Sequence, residues 1–271
     1  MSEKNSNHIA WVTDIHLNFL DEPEIDSFCR RIMETKPRLL LIGGDIAESP
    51  SLSSYLNLLE SKLDIPIYFV LGNHDFYRGS IEETTNIVAE MSRTSVRLKW
   101  LPSVGIVPLT AKTCLIGHDG WSDGRYGDFF CSDVILNDYL LIEELRYLTP
   151  KVLFEKLNAL GAKAADYFAE ILPKALADFE EILVLTHVPP FKESCWHDGK
   201  ISGDNWLPHF SGKAVGDVLR REMEAHPERS MTVLCGHTHG KGEAVILPNL
   251  FVRTGGAVYG NPELQPPIFV N

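Results

Sequence analysis

Six short apolar stretches of this sequence end in His, Asp, Asn or Gly, residue types whose polar groups a hydrophobic core does not accept unpaired. The residues at these ends that could do chemistry are Asp14, His16, Asp45, Asn73, His74, Asp75, His187, His237 and His239. Carboxylate, amide and imidazole groups without thiolate suit Mn, Fe or Zn ions. One such residue is typical of a turn or a cap, but the same ending on six stretches predicts a shared metal site.

The spacing within two pairs of these residues is informative. Asp14 and His16 are separated by one residue, as are His237 and His239. Alternate side chains of an extended backbone point to the same side, so both members of a pair could reach one ion. His237 and His239 could instead diverge at a turn and serve two neighbouring ions.

The elements that must position these residues follow from hydrophobic periodicity. Strands are predicted at residues 8–14, 38–45, 65–75, 113–121, 181–190 and 231–240. Helical patterns occupy residues 24–36, 51–63 and 80–92, and the last opens with Ser80 and Glu83 as a candidate capping box. Alternating strands and helices predict a largely parallel sheet, whose ligands lie beyond the carboxyl ends of its strands.

Residues 133–180 have a different, helical pattern, with apolar residues spaced by threes and fours. Thr149 and Pro150 are a typical helix start, which divides the segment into two helices. Pro173 is expected to kink or end the second of them. We interpret this segment as a helical insertion that forms a layer over the sheet rather than as an interaction module.

The last part of the chain predicts a β-hairpin over residues 242–256 that turns at Pro248 and Asn249. We find no internal repeat, linker or low-complexity segment, so a single domain over residues 1–271 is expected.

Composition limits the class of protein. The chain has 271 residues, of which 44% are hydrophobic and 23% charged, as in soluble globular proteins. The formal net charge of −12 disfavours duplex nucleic acid or an anionic membrane surface as partner. The five cysteines form no CxxC pair, and no apolar leader or membrane-spanning run is present, so a soluble cytoplasmic protein is expected.

Five blocks occur in a fixed order: DxH at residues 14–16, GD at 44–45, GNHD at 72–75, a later His at 187 and GHxH at 236–239. This order resembles the signature of the calcineurin-like metallophosphoesterase superfamily, and the combination is specific although each block alone is weak. The resemblance implies an α/β fold of two mixed β-sheets packed as a sandwich and flanked by helices, in four αββα layers, with the helical insertion at 133–180.

The resemblance also implies a site with two divalent metal ions, Mn, Fe or Zn. Its pattern assigns Asp14, His16, Asp45 and His239 to one ion, and Asn73, His187, His237 and the shared Asp45 to the other. A metal-bridging hydroxide would be the nucleophile. His74, which is not a ligand in that pattern, would face the substrate as the general acid. Asp75 would either orient His74 or cap the following turn.

The function that these residues indicate is two-metal-dependent hydrolysis of a small phosphodiester or phosphomonoester, with a phosphorylated small molecule as substrate. The alternatives are a non-catalytic metal-binding scaffold for a protein partner, or a protein phosphatase or nuclease of the same superfamily. Asp45 is followed by IAESP instead of the xxDRG of the protein phosphatases, which disfavours that branch. The net charge disfavours a nuclease.

Two loops supply candidate substrate contacts. The loop at 191–210 directly follows His187, and long loops at the edge of a site usually carry specificity. Arg125 is a candidate phosphate clamp, and His118 either lines the site or belongs to a structural turn. The candidates in the loop are Trp196, His197, Trp206 and His209.

Overall fold

The computed structural model of the protein describes residues 8–270. In chain order the strands are β1 (His8–Val12), β2 (Leu40–Gly43), β3 (Ile67–Val70), β4 (Leu98–Trp100), β5 (Val107–Pro108), β6 (Thr113–His118), β7 (Glu181–Thr186), β8 (Trp196–His197), β9 (Lys200–Ile201), β10 (Ser230–Cys235), β11 (Gly242–Leu247), β12 (Leu250–Thr254) and β13 (Ile268–Phe269). The helices are α1 (Glu22–Glu34), α2 (Ser49–Lys62), α3 (Ile81–Thr94), α4 (Leu101–Val104), α5 (Asp138–Leu141), α6 (Pro150–Asp178), α7 (Leu207–Phe210) and α8 (Lys213–Ala225).

Eleven of the described strands form two mixed sheets. The first has the order β13-β1-β2-β3-β4, in which β1 to β4 are parallel and β13 is antiparallel. The second has the order β11-β12-β10-β7-β6-β5, with antiparallel strands β11 and β5 at its edges. β8 and β9 pair separately as a short antiparallel ribbon.

The two sheets pack face to face and helices cover their outer faces. Trp11 and Leu41 of the first sheet lie in one buried cluster with Leu183 and Leu234 of the second. The alternate side chains of the first sheet pack in a cluster with α1 and α2, and those of the second pack with α6 and α8. The predicted class, two mixed sheets between helices in four layers, is therefore confirmed.

The long helix of the insertion begins later in the chain than the predicted start of the helical segment at residue 133. Residues 122–137 are irregular, and the long helix α6 begins at Pro150. Of the two outcomes expected at Pro173, a kink or a helix end, the helix end is wrong, because α6 continues through the proline to Asp178. Ile171 and Ala175 on either side of the proline are buried, and this packing outweighs the roughly 3 kcal/mol cost of proline within a helix.

The predicted hairpin is present as β11 and β12, and β12 adds to the sheet as the parallel neighbour of β10. Within residues 8–270, no helix is both long and apolar enough to cross a membrane. The assignment of a single domain to residues 1–271 remains a prediction.

His118, at the end of β6, belongs to a structural turn. Its Nδ1 accepts a hydrogen bond from the Gly120 N–H at 3.1 Å, and its ring contacts those of Tyr167 and Phe168 on α6. Burial lowers the pKa of His118 to about 4, with a smaller contribution from the charge of Lys163. The histidine is therefore neutral in the folded protein at neutral pH.

This pKa shift predicts a pH-dependent stability. The unfolded chain takes up the His118 proton near its ordinary pKa of 6.5 and the folded chain only near pH 4, so this contribution to stability is lost as pH falls between these values. From about pH 7.5 to about pH 5 the loss should be about 2 kcal/mol. We expect His118→Gln to remove that part of the pH dependence in urea unfolding. Identical pH dependence in wild type and variant would contradict the assignment.

Candidate metal centre

The polar residues at the strand ends converge at one rim of the sandwich. Asp14 and His16 follow β1, Asp45 follows β2, Asn73 and His74 follow β3, His187 follows β7, and His237 and His239 follow β10. Both sheets therefore contribute, because the carboxyl ends of their parallel strands open on the same side.

One group consists of Asp14, His16, Asp45 and His239, each of which offers a ligand atom within 4.8 Å of the other three. The two Nε2 atoms of His16 and His239 are 3.3 Å apart, and His239 Nε2 is 3.4 Å from Asp14 Oδ1. Ligands about 2.1 Å from one cation would be separated by distances of this size. The described residues thus include a cluster able to bind a metal ion.

A second group of ligand atoms lies beside the first. Asn73 Oδ1 is 3.1 Å from His187 Nε2 and 2.9 Å from His237 Nδ1. Asp45 lies between the groups, with Oδ1 at 3.5 Å from His187 Nε2 and Oδ2 at 3.8 Å from His16 Nε2. One carboxylate is therefore in reach of both groups.

Hydrogen bonds fix which nitrogen of two imidazoles faces this second group. His187 Nδ1 donates to the carbonyl of Gly43 at 2.8 Å, and His237 Nε2 donates to the carbonyl of His209 at 3.0 Å. The other nitrogen of each ring then carries a lone pair that faces Asn73 Oδ1, itself an acceptor. Acceptors at these distances repel unless a cation lies between them, so the residues fit a metal ion.

Two further side chains orient the Asn73 amide. Its Nδ2 donates to Asp138 Oδ1 at 2.8 Å and to the Tyr77 hydroxyl at 3.3 Å, and that hydroxyl donates to the same carboxylate oxygen at 2.7 Å. Oδ1 is thereby turned toward the imidazoles. Neither residue was identified from the sequence. Tyr77 looks like an ordinary aromatic core residue, and Asp138, at the start of a short helix, looks like an ordinary helix-terminal residue.

The backbone at the site is left-handed rather than extended. Positive φ angles of 42° to 69° occur at Asp14, His16, Asp45, His237 and His239. Each costs of order 1 kcal/mol or more for a residue with a Cβ, so the surrounding structure must impose them. Asp14 and His16 nevertheless both lie in the first group. For the other pair, the structure has the second of the two arrangements that the sequence left open. His237 and His239 diverge at a turn, with His239 in the first group and His237 in the second.

The charge distribution also favours a cation. Burial, together with the nearby Asp14 and Asp75, raises the pKa of Asp45 well above its ordinary value. Burial lowers the pKa of His16 to about 3 and that of His237 to about 4, so both imidazoles are neutral. A buried carboxylate without a counter-charge beside neutral imidazoles is the arrangement that a divalent ion stabilises.

His74 lies beside both groups without belonging to the first cluster. Its Nε2 is 4.0 Å from Asp45 Oδ2, and its ring stacks on Tyr77 with centroids 4.2 Å apart. The side chain is 18% exposed and lines a cavity of about 340 Å³ that opens over the ligands.

Asp75 does not fill either of the roles expected for it. Its Oδ1 accepts the Ile46 and Ala47 N–H groups at 2.9 Å each, and its Oδ2 accepts the Gly72 N–H at 2.8 Å. The buried carboxylate therefore ties the loop after β2 to the loop after β3, and so fixes Asp45 relative to Asn73.

The candidate substrate residues are distributed unevenly. His197 lines the cavity, whereas Trp196 and Arg125 do not. Arg125 Nε donates to Asn158 Oδ1 at 3.0 Å, and its Nη1 lies 3.3 Å from Asp123 Oδ2, so its guanidinium connects the irregular segment to α6. Substrate-binding roles for these three residues remain predictions.

Known proteins resemble this chain in sequence and in fold. The calcineurin-like phosphoesterase family model matches residues 8–241. A probable cyclic nucleotide phosphodiesterase of Pseudoalteromonas sp. (strain SM9913) is 32% identical over an alignment of 108 residues, and the match covers 32% of this chain and 41% of that protein. The chain thus matches less than half the length of that relative.

Solved structures extend the comparison to nearly the whole chain. Phosphopantetheinyl hydrolase from Mycobacterium tuberculosis has a TM-score of 0.61 and 12% identity, covering 95% of each chain. A dimetal phosphatase from Danio rerio has a TM-score of 0.56 and 10% identity, covering 92% of this chain and 87% of that one. At these identities the likeness shows the fold alone.

The close approach of backbone at Gly72 gives a direct test of the site. A Cβ there would overlap Asp45 Oδ1 and meet His187 Cε1 at 2.7 Å. We expect Gly72→Ala to reduce Mn²⁺ affinity about tenfold or more, because both ligands must shift. Metal bound per folded chain, measured by elemental analysis after equilibrium dialysis, checks this. Gly203→Ala is the matched control, since no atom lies within 4 Å of its Cβ. Equal metal content in the two variants would contradict the assignment.

Proposed function

Because the chain belongs to the calcineurin-like phosphoesterase family, we propose that it is a metal-dependent hydrolase of small phosphodiesters or phosphomonoesters. The observation that supports this most directly is the convergence of lone pairs from Asn73, His187 and His237 beside the buried Asp45. Neutral nitrogen and oxygen donors of this kind bind divalent cations, and a divalent cation attracts a phosphate group.

We assign the ligands to two ions, Mn, Fe or Zn, that share Asp45. The first would be held by Asp14, His16, Asp45 and His239, and the second by Asn73, His187, His237 and Asp45. Such ions would lower the pKa of a water molecule and neutralise charge on the phosphoryl oxygens. The protein contributes the fixed direction of each ligand, which the carbonyl partners of His187 and His237 and the amide partner Asp138 provide.

His74 is the residue that we assign to protonation of the leaving oxygen. Its backbone N–H donates to Asp45 Oδ1 at 2.9 Å, and stacking on Tyr77 sets the plane of its ring. Burial and the neighbouring imidazoles of His16 and His187 lower the pKa of His74 to about 2, so the ring is neutral in the protein alone. An anionic phosphate group beside the ring favours its protonated form.

The substrate that suits this cavity is a small molecule. A volume of about 340 Å³ lies at the low end of ligand pockets and accommodates one phosphoester with its substituents. The curated relative is named as a probable cyclic nucleotide phosphodiesterase, which adds cyclic phosphodiesters to the candidates. A metal-binding scaffold without catalysis is the competing function.

Activity and metal content together test this proposal. With Mn²⁺ the protein should cleave bis-p-nitrophenyl phosphate or p-nitrophenyl phosphate, and a chelator should abolish the reaction. His74→Asn should lower kcat by a factor of about 10² to 10⁴, as for loss of a general acid, with metal content nearly unchanged. His226→Asn, at the end of α8, is the control.

Two outcomes of this experiment would count against the proposal. Loss of metal from His74→Asn would show that His74 is a ligand instead of the acid. Absence of turnover for both esters with metal bound would favour the scaffold.

A further inference from the structure

An aromatic surface adjoins the first group of ligands at the mouth of the cavity. The ring of Tyr259 lies 4.5 Å from that of His16 and 4.9 Å from that of His239, centroid to centroid. The ring of Phe19 lies 5.1 Å from that of Tyr259. Tyr259 is 48% exposed and Phe19 54% exposed, so much of this surface faces solvent although it borders a buried polar site.

The second group of ligands has an aromatic neighbour of its own across the cavity. The Phe210 ring meets the His237 ring edge-on at 5.4 Å, and Trp206 packs on Phe210 at 5.0 Å. Ile135, which is 74% exposed, also lines this side. Apolar surfaces left exposed around a polar centre are typical of a ligand-binding site.

No Lys or Arg side chain lines the described part of the cavity. The described residues that line it are Asn73, His74, Tyr77, Ile135, Leu136, Asn137, Asp138, His197, Phe210, His237, Thr238, His239 and Tyr259. The wall therefore offers no fixed Lys or Arg charge to a second phosphate group or to a carboxylate of the substrate. Beyond the reacting phosphate, the wall offers stacking and apolar contact.

We propose that Tyr259, supported by Phe19, is a specificity-determining platform on which a planar aromatic substituent of a singly phosphorylated ester stacks. This inference rests on the proposed phosphoesterase function and narrows its substrate class to aryl or nucleoside esters with one phosphate group. Stacking of a base on an aromatic side chain raises the affinity about tenfold over that without the aromatic ring, equivalent to about 1.4 kcal/mol.

The phenol of Tyr259 offers a competing explanation that the experiment must separate. The ring of Tyr259 lies against those of His16 and His239, from where its hydroxyl could donate a hydrogen bond to a phosphoryl oxygen. A ring without the hydroxyl retains stacking, whereas an aliphatic side chain loses both. Tyr259→Phe and Tyr259→Leu therefore distinguish the two roles.

The test is a comparison of two ligands that differ only in the planar group. Calorimetry on the Mn²⁺-loaded protein would give the affinities of phenylphosphonate and of cyclohexylphosphonate, whose organic groups both have six carbons, and the readout is the ratio of these affinities. We expect phenylphosphonate to bind more tightly to the wild type, Tyr259→Leu to reduce the ratio about tenfold, and Tyr259→Phe to retain it. Tyr147→Leu, at an exposed tyrosine outside the cavity, is the matched control and should retain the ratio.

Metal content and circular dichroism identify a variant that has lost its fold or its ions. If Tyr259→Leu is such a variant, Phe19→Leu replaces it and should lower the ratio about threefold. An unchanged ratio in the folded variant would overturn the platform, as would a loss in Tyr259→Phe equal to that in Tyr259→Leu. Binding of neither phosphonate by the metal-loaded wild type would overturn the phosphoesterase function, and the platform with it.

Discussion

A buried carboxylate that needs a counter-charge is the constraint on which this structure depends. Asp45 is 1% exposed and lies between the two groups of ligands. Its Oδ2 faces His16 in the first group, and its Oδ1 faces His187 in the second. Ionisation there is unfavourable in the protein alone because burial and a neighbouring carboxylate oppose it. A cation on each side would remove that cost, and we propose that this requirement sets the chemistry of the rim.

The packing of the two sheets determines whether the rim can form at all. The first sheet supplies Asp45 and Asn73, and the second supplies His187 and His237. Their separation depends on the apolar contacts between the sheets, such as those in the cluster that contains Trp11. A displacement of one sheet by an ångström would separate the lone pairs that meet around Asn73. The sandwich interface is therefore part of the site.

The strand ends could be predicted from the sequence because they depend on local periodicity and on the unfavourable burial of unpaired polar groups, whereas the two-sheet sandwich was implied only by the resemblance of the five ordered blocks to a known superfamily. The sequence could not predict partners that only tertiary structure brings near, such as Asp138 on the Asn73 amide or Tyr259 beside the ligands. Pro173 shows packing overriding a local preference. The hydrogen bond from Arg125 to Asn158 on α6 is likewise a contact that the sequence did not reveal.

The most direct test of the account is anomalous diffraction from crystals grown with Mn²⁺. We expect two peaks roughly 3.5–4 Å apart on either side of the Asp45 carboxylate, one next to His239 and the other next to His237. A single peak, or peaks away from Asp45, would contradict the shared two-ion centre.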